Sequence, residues 1–203
     1  KLIGETAGGV DPGLGDDAGP AGVGVARALQ GLRQQFDLVT AAAKLKRYDL
    51  VIVPETTPVD ERLRGKLASY TQAGGALIIS GDAALDDAGK PILRELGIRA
   101  EGMSPYAVTY LRAAPDLEHA LPSLDHVMYE PGFRMTPSRG SKVLCHVVEP
   151  YFDRTWAHFC SHAQTPPSEA GDWAAVVQHK NVITLAAPVF TAYGKHASVP
   201  YRQ

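Results

Sequence analysis

Apolar and polar positions in the first half of the chain predict strands interleaved with helices. From Ala21 onward, apolar residues recur at helical spacing, and Pro20 stands near the predicted helix start, where proline is favoured. Residues 36–40 then predict a short strand, residues 42–46 a brief helical turn, and residues 48–54 another strand. The last of these is a continuous β-branched run, which is typical of a central parallel strand covered on both faces.

The same alternation continues over the next fifty residues. A helix is predicted to begin near the capping residue Thr57 and to end at Gly74. Residues 76–80 predict a second buried strand, and residues 91–96 predict a helix that Gly97 closes. This order of elements predicts an α/β fold with a flavodoxin-like, doubly wound and mostly parallel sheet.

The second half has a different pattern, with strands that no regular helix separates. The predicted strands are residues 106–112, 133–137, 141–148 and 173–178. Lys180 and Asn181 are placed to turn a hairpin into a further strand at residues 182–187, and a last helix is predicted at residues 188–193. We therefore expect the α/β core to carry a β-rich C-terminal part, with residues 1–203 forming one domain.

The first 22 residues do not fit either pattern. They are rich in glycine, with several Asp and Pro residues and few large apolar side chains. Such a segment cannot bury enough surface to offset the conformational entropy that it would lose on folding, so we predict a long loop. Residues 1–4, before this loop, are predicted to be the tail of a strand. Because the chain begins at Lys1 and not at Met, we expect it to be a piece of a longer polypeptide.

Composition narrows the classes of function. Hydrophobic residues make up 45% of the 203 positions, charged residues 21%, and the formal net charge is −2. These values are ordinary for a globular protein. They indicate no excess of positive charge that would bind nucleic acid or an anionic membrane. No apolar run approaches the ~20 residues of a membrane span. Two cysteines are too few for a disulfide scaffold, so we expect reduced thiols and a cytoplasmic location, although a targeting signal could lie outside the chain. We also expect no cofactor.

One block of the sequence resembles a known family. Residues 48–85 read YDLVIVPETTPVDERLRGKLASYTQAGGALIISGDAAL. This block is similar to the strand–helix–strand unit of class I glutamine-amidotransferase-like domains, and most similar to the version found in β-galactosidase trimerisation domains. The positions that match are Tyr48, Asp49, Pro54, Leu67, Tyr70, Gly74, Gly75, Ser80 and Gly81. The resemblance implies an amidotransferase-like domain of a glycoside hydrolase.

The resemblance also implies where chemistry would be found. Amidotransferase domains place a cysteine on a tight turn between strand and helix, near a helix N-terminus that favours the thiolate. The corresponding turn here is Ser80, Gly81 and Asp82, and it has no cysteine. Cys145 and Cys160 come much later in the chain. The G-x-S-x-G frame that would expose Ser80 is also missing. We therefore expect a degenerate elbow and no catalytic residue.

A second group of candidate residues lies near residue 160. His158 and His162 share one face on either a helix or a strand, with Cys160 between them, which makes the two histidines weak candidates for a metal site. The glutamate that the helical zinc motif requires beside the first histidine is absent. Hydrogen bonding at a domain edge or a subunit contact is the alternative interpretation of this cluster.

Charged and aromatic residues lead into that cluster. Glu149, Asp153, Arg154 and Trp156 combine two carboxylates with an indole, a mixture that occurs in clefts that bind sugars. A glycosidase acid pair needs a defined separation that the sequence does not show. The alternatives are a turn of solvated charges with one core tryptophan, or a loop that lines the sugar site of a neighbouring domain.

These observations lead to three hypotheses. The first is a non-catalytic accessory and oligomerisation domain of a β-galactosidase-like glycoside hydrolase. Its partners would be other domains of the same polypeptide and further copies of the chain, with a trimer as one expectation, and it would contact carbohydrate only indirectly. The second is a stand-alone small hydrolase or amidotransferase relative that uses Ser80 or Cys160 as its nucleophile. The third is a module that binds sugar or metal through Trp156, His158 and His162.

Overall fold

The computed structural model describes residues 2–3, 19–117, 121–122, 124–162 and 164–202, so most of the predicted glycine-rich loop lies outside the described residues. The strands are β1 (Leu2–Ile3), β2 (Leu38–Val39), β3 (Leu50–Val53), β4 (Ala76–Ser80), β5 (Ile98–Met103), β6 (Thr109–Ala113), β7 (Asp125–Met128), β8 (Phe133–Pro137), β9 (Lys142–Pro150), β10 (Pro167–His179) and β11 (Val182–Leu185). The helices are α1 (Gly19–Gly31), α2 (Glu61–Gln72), α3 (Val189–His196) and α4 (Val199–Arg202). Short 3-10 turns occur at Leu45–Arg47, Gly81–Ala84, Arg94–Leu96 and Pro115–Leu117.

The first part of the sheet is parallel, as predicted. Its strands lie in the order β2-β1-β3-β4-β11, with parallel pairing between every pair of neighbours. This is the strand order of flavodoxin-like sheets, with β11 in the fifth position. Strand β11 comes from near the end of the chain, so a long antiparallel excursion separates the fourth and fifth parallel strands.

The second part of the sheet is antiparallel, and here the prediction of a mostly parallel sheet was wrong. The order continues as β11-β10-β9-β6-β7, while β8 pairs with β10 and β5 pairs with β8. The reason is the length of the connections. Lys180 and Asn181 form the two-residue turn between β10 and β11, and a turn this short joins only antiparallel strands. The molecule is therefore an α/β fold with a mixed sheet.

Helices cover both faces of the parallel strands because side chains alternate along β3. Val51 and Val53 belong to the same buried cluster as Leu63 of α2, while Ile52 packs with Val25 of α1. This alternation follows from the two-residue period of a strand. The continuous apolar run at residues 48–54 is thus explained by burial on both sides, as the sequence predicted.

Two predicted helix starts differ from the structure. The N-cap of α2 is Asp60 and not Thr57, because the Asp60 carboxylate accepts a hydrogen bond from the backbone N–H of Leu63 at 2.7 Å. The helix predicted at residues 91–96 is only the 3-10 turn Arg94–Leu96. Pro91 forms a bridge with Leu85, which leaves too few residues before Gly97 for a longer helix. Strands β5 and β7 and helix α4 were not predicted.

Helices α1 and α3 cross with their backbones in close contact. A Cβ atom on Gly24 of α1 would lie 1.9 Å from the carbonyl oxygen of Phe190, and one on Gly194 of α3 would lie 2.2 Å from that of Pro20. Neither position has room for a side chain, so glycine is required at both. This contact holds α3 against α1 and places the start of α3 at the carboxyl ends of the parallel strands. Among the described residues, no helix is long and apolar enough to cross a membrane.

Candidate functional site

The carboxyl ends of the parallel strands meet at one edge of the sheet, where open α/β folds bind their ligands. Glu55 follows β3, Ser80 ends β4, and Gly81 begins the 3-10 turn Gly81–Ala84, where the resemblance predicts an elbow. Thr191 comes to the same edge in the first turn of α3. We refer to Glu55, Ser80, Gly81 and Thr191 as the elbow cluster.

A buried carboxylate occupies the centre of the elbow cluster. Glu55 is only 8% exposed, and Ser80 is fully buried. The hydroxyl of Ser80 donates to Oε2 of Glu55, and the backbone N–H of Thr191 donates to Oε1 at 2.5 Å. Because Thr191 lies in the first turn of α3, the negative charge also lies at the positive end of the helix dipole. The carboxylate therefore holds β3, β4 and α3 together at this edge.

Gly81 is the residue at which the chain turns out of β4. Its φ angle is +53°, in the left-handed region, directly after the end of β4. A Cβ atom on Gly81 would lie 2.7 Å from Cβ of Glu55, closer than such atoms approach one another in proteins. The position has no room for the side chain of a nucleophile. Asp82, the third residue predicted for this turn, is exposed.

Among the described residues, Ser80 has no histidine partner of the kind that usually activates a hydroxyl nucleophile. Such a serine needs a base within hydrogen-bonding reach, and the base is usually a histidine held by an acid. Within the described part of the chain, Ser80 bonds to the Glu55 carboxylate and to no histidine. The buried hydroxyl acts here as a donor to a carboxylate that already accepts a second bond.

The two cysteines lie outside the elbow cluster. Cys145 is buried on β9, and burial raises the pKa of its thiol to about 11, which keeps it protonated near neutral pH. Cys160 is half-buried in the connection between β9 and β10, and its Sγ lies 3.5 Å from the carbonyl oxygen of His162 and 3.6 Å from that of Gln164. Strands β11 and β10 separate β9 from β4 in the sheet.

The second predicted site lies mostly in the connection between β9 and β10, residues 151–166, which we call the β9–β10 loop. Hydrogen bonds define its shape: the N–H of Thr155 donates to the carbonyl of His158 at 2.9 Å, and the N–H of His158 donates to the hydroxyl of Thr155 at 3.1 Å. At the base, Thr165 donates to the carbonyl of Phe152 at 2.9 Å, and Tyr110 of β6 donates to the carbonyl of Thr165. Burial raises the pKa of the Tyr110 phenol, so this donor keeps its proton.

Large aromatic side chains of the β9–β10 loop point away from the protein. Trp156 is 96% exposed, Tyr151 69% and Phe159 66%. The guanidinium of Arg154 stacks over the ring of Phe159 at 5.0 Å, and Asp153 is exposed beside it. The interpretation of Trp156 as a core residue was therefore wrong. Grouped exposed aromatics are typical of surfaces that contact another molecule.

Glu149 does not belong to this exposed group. Its carboxylate pairs with Arg134 of β8, with Oε1 3.0 Å from Nε and 2.5 Å from the terminal guanidinium nitrogen. The guanidinium of Arg134 in turn lies 5.2 Å from the ring centre of Trp173 on β10. Glu149 thus links β9 to β8, two strands that each pair with β10, and its carboxylate is held by an ion pair within the sheet.

The two histidines predicted as weak metal candidates, His158 and His162, are both exposed. The ring of His158 lies 6.1 Å from that of Phe152, and only the carbonyl of His162 contacts Cys160. In the part of the chain that the structure describes, no three His, Cys, Asp or Glu side chains converge as metal ligands would. Beside the loop lies a cavity of about 310 Å³, whose lining includes Asp153 and Arg154.

Glu55 is the important residue that sequence patterns did not single out. The signal available was its position, since Glu55 and the preceding Pro54 directly follow a buried strand. A carboxylate at the carboxyl end of a central parallel strand commonly faces a site or a helix terminus. Its contact with Ser80 and Thr191 joins residues far apart in the chain and could not be read from spacing.

The comparison with protein families confirms the resemblance. Residues 27–96 match the model of the β-galactosidase trimerisation domain, a stretch that includes β3, α2, β4 and the elbow turn. No curated protein sequence is significantly similar to the chain.

Solved structures share the fold over nearly the whole chain. An α-L-fucosidase, isoenzyme 2 of Paenibacillus thiaminolyticus, is 26% identical with a TM-score of 0.88, and the match covers 99% of this chain and 31% of the fucosidase. A cold-adapted β-galactosidase of Rahnella sp. R3 is 17% identical with a TM-score of 0.65, covering 94% of this chain and 29% of that enzyme. A glutamine amidotransferase of Thermotoga maritima is 9% identical with a TM-score of 0.55, covering 93% of this chain and 75% of that protein. The chain thus spans about three-tenths of the length of either glycosidase.

Proposed function

We propose that residues 1–203 form a non-catalytic accessory and oligomerisation domain of a larger glycoside hydrolase. The observation that carries this proposal is the closed elbow. Gly81 has no room for a nucleophile, and the neighbouring Ser80 is buried against a carboxylate. A domain whose catalytic position is occupied by its own residues can still act as a scaffold. Its function then depends on the surfaces through which it contacts other molecules.

The comparisons support a role within a larger assembly. The family model that matches residues 27–96 describes a trimerisation domain, and both glycosidases extend far beyond the part that aligns with this chain. In the proposal, the catalytic domain belongs to the same polypeptide, further copies of the chain assemble through this domain, and carbohydrate is bound only elsewhere or at its edge. A cytoplasmic location and the absence of a cofactor remain predictions.

We propose in addition that the β9–β10 loop contacts another domain or subunit near its sugar site. The exposed indole of Trp156 supports this, because an aromatic face can stack on a pyranose ring and gains little from full exposure to water. The internal hydrogen bonds of the loop lower the entropy cost of the contact. This interpretation uses Trp156 and Arg154 as contact residues and assigns no metal to His158 or His162.

The natural polypeptide that contains this chain provides the test. Light scattering at several concentrations should give the mass of an oligomer, and the same sample should hydrolyse a nitrophenyl glycoside. The variant Ser80→Ala should keep that activity. A polypeptide that is monomeric at every concentration contradicts the oligomerisation role.

Covalent labelling separates this proposal from the hydrolase hypothesis. A fluorophosphonate should not label Ser80, since the hydroxyl is fully buried and donates to the Glu55 carboxylate, and no histidine in the described part of the chain bonds to it. Labelling of Ser80 by the probe, lost in Ser80→Ala, would instead demonstrate an active nucleophile in this domain.

A further inference from the structure

A basic groove runs along one side of α2. It lies between this helix and the 3-10 turn Leu45–Arg47, and its volume is about 580 Å³. The residues that define the basic groove are Lys44, Leu45, Lys46, Arg47, Arg62, Gly65, Lys66, Ser69 and Tyr70. Leu45 and Tyr70 are buried and form an apolar floor, while lysines and arginines form the walls.

Several cations of the groove lack a partner of opposite charge among the described residues. The ammonium group of Lys66 is already hydrogen-bonded within the chain, since it donates to the carbonyl of Ala43 at 2.8 Å and to that of Ala41. By contrast, no hydrogen bond or ion pair within the described ranges holds the exposed side chains of Lys44, Lys46 and Arg62. The chain as a whole has a formal net charge of −2, so these cations concentrate positive charge on a protein that is acidic elsewhere.

Gly65 gives a second indication that this groove receives another molecule. It lies in the middle of α2, where glycine is a poor helix former, and it is exposed. A Cβ atom there would have no atom of this chain within 4 Å, so packing inside the chain does not require glycine. A glycine at such a position allows a partner to approach the helix backbone closely.

An acidic loop, residues 86–90, follows the 3-10 turn after β4. Residues 86–90 are all exposed, and they include Asp86 and Asp87. The loop is internally fixed: the Asp86 carboxylate accepts hydrogen bonds from the N–H groups of Ala88 at 3.0 Å and Lys90 at 2.9 Å. Asp82 adds a third exposed carboxylate in the preceding turn, against the one cation of Lys90. The loop is thus a rigid projection with an excess of negative charge.

The positions of the groove and the loop suit a head-to-tail contact between copies. Lys66 ties the groove side of α2 to the segment between β2 and β3. Gln72, near the C-terminal end of α2, donates to Glu95 at 2.9 Å, and Thr184 of β11 donates to the carbonyl of Leu96 at 3.4 Å, so the segment that follows the acidic loop lies against both α2 and β11. Two different but complementary patches on one subunit make a head-to-tail contact, which builds a closed ring when the rotation between copies closes.

We propose that the basic groove of one copy binds the acidic loop 86–90 of the next copy. This inference rests on the proposed oligomerisation function and adds the surface that performs it. Like charges at such a contact are repulsive and opposite charges favour both association and a defined orientation. In the proposed contact, Asp87 would pair with Lys46 and Arg62, and the small residues Ala88 and Gly89 would pack against Gly65.

Charge reversal in the natural polypeptide tests this contact. The double variant Lys46→Glu/Arg62→Glu should raise the dissociation constant of the oligomer at least about tenfold at about 0.1 M salt. Asp87→Lys should have an effect in the same direction. Combining Asp87→Lys with the groove variant restores opposite charges and should recover much of the wild-type affinity. Arg139→Glu is the matched control, since Arg139 is exposed in the turn after β8, and it should leave the mass unchanged.

The outcomes separate the two proposals. A wild-type polypeptide that is monomeric overturns oligomerisation itself, and with it this contact. An oligomer whose mass and affinity are unaffected by groove reversal keeps oligomerisation and overturns the groove as its interface. Loss of heparin binding in the groove variant without any change in oligomer affinity would assign the groove to a different polyanion, which also overturns the contact. Recovery by the charge swap supports it, because a misfolded variant would not regain affinity.

Discussion

The elbow cluster and the β9–β10 loop are the two places where the sequence suggested chemistry, and they differ in where their polar and aromatic groups point. In the elbow cluster, the carboxylate of Glu55 is buried, and protein donors occupy both of its oxygens. In the loop, Trp156 and Phe159 extend into solvent from a frame of internal hydrogen bonds. Polar groups that satisfy one another inside a protein stabilise its fold, whereas exposed aromatics on an ordered loop are available to an outside partner.

The largest effect is expected at Gly81. The variant Gly81→Ala places a Cβ atom 2.7 Å from Cβ of Glu55 at a φ angle of +53°. We expect the free energy of unfolding to fall by about 3 kcal/mol, combining backbone strain with a steric clash. Denaturant titration of the chain measures it.

Gly89 provides the matched control for that variant. Its φ angle is +71°, but a Cβ atom at this position would have no other atom within 4 Å. Gly89→Ala should therefore cost only the strain of the left-handed backbone, about 1 kcal/mol. Equal losses at the two glycines would show that contact with Glu55 does not close the elbow.

The cysteines give the next contrast, between the buried sheet and the exposed loop. Burial raises the pKa of Cys145 to about 11, so its thiolate is scarce near neutral pH and increases roughly tenfold per pH unit until the pH nears that pKa. Cys160 is only half-buried. Iodoacetamide should therefore alkylate Cys160 at least about a hundredfold faster than Cys145.

Single-cysteine variants make the two alkylation rates separable. Cys145→Ala and Cys160→Ala should each react at the rate of the cysteine that remains, and unfolding in guanidinium should bring both rates together. A folded chain in which the two thiols react equally fast would contradict the burial of Cys145.

Glu55 should have a smaller effect on stability than Gly81. The variant Glu55→Ala leaves the hydroxyl of Ser80 and the N–H of Thr191 without an acceptor, and it should lower the free energy of unfolding by about 2 kcal/mol. Glu55→Gln keeps an oxygen for one donor and should lose about 1 kcal/mol. Thermal unfolding of both variants provides the measurement. A Glu55→Ala chain as stable as wild type would show that the carboxylate does not hold α3 to the strands.

The smallest effect on stability is expected at Trp156. The indole is 96% exposed, so Trp156→Ala should change the free energy of unfolding by less than about 0.5 kcal/mol. Trp173→Ala is the control, because its ring lies under the guanidinium of Arg134 on the sheet and its removal should be clearly destabilising. A large loss of stability at Trp156 would mean that the loop is part of the structural core.

Several elements could be predicted because their signals are local. The apolar run of β3, the stripe of α2 and the strand β4 all follow from side-chain periodicity over a few residues. The two-residue turn at Lys180 and Asn181 was likewise recognisable between two strand patterns. The lack of cysteine at the elbow was also evident from the sequence, since it requires only the identity of Ser80, Gly81 and Asp82.

Local sequence patterns could not predict the contacts between residues far apart in the chain. Periodicity indicates that a segment is a strand, but it does not indicate which strand lies beside it. The positions of β11 next to β4 and of β9 between β10 and β6 were therefore known only from the structure. The convergence of Glu55, Ser80 and Thr191 joins segments separated by 25 and 136 positions in the chain. The exposure of Trp156 depends on which surfaces remain uncovered after folding. The geometry of a helix or a strand repeats every few residues, so the order of apolar and polar residues determines it. The pairing of strands and the burial of side chains depend on the packing of the whole chain.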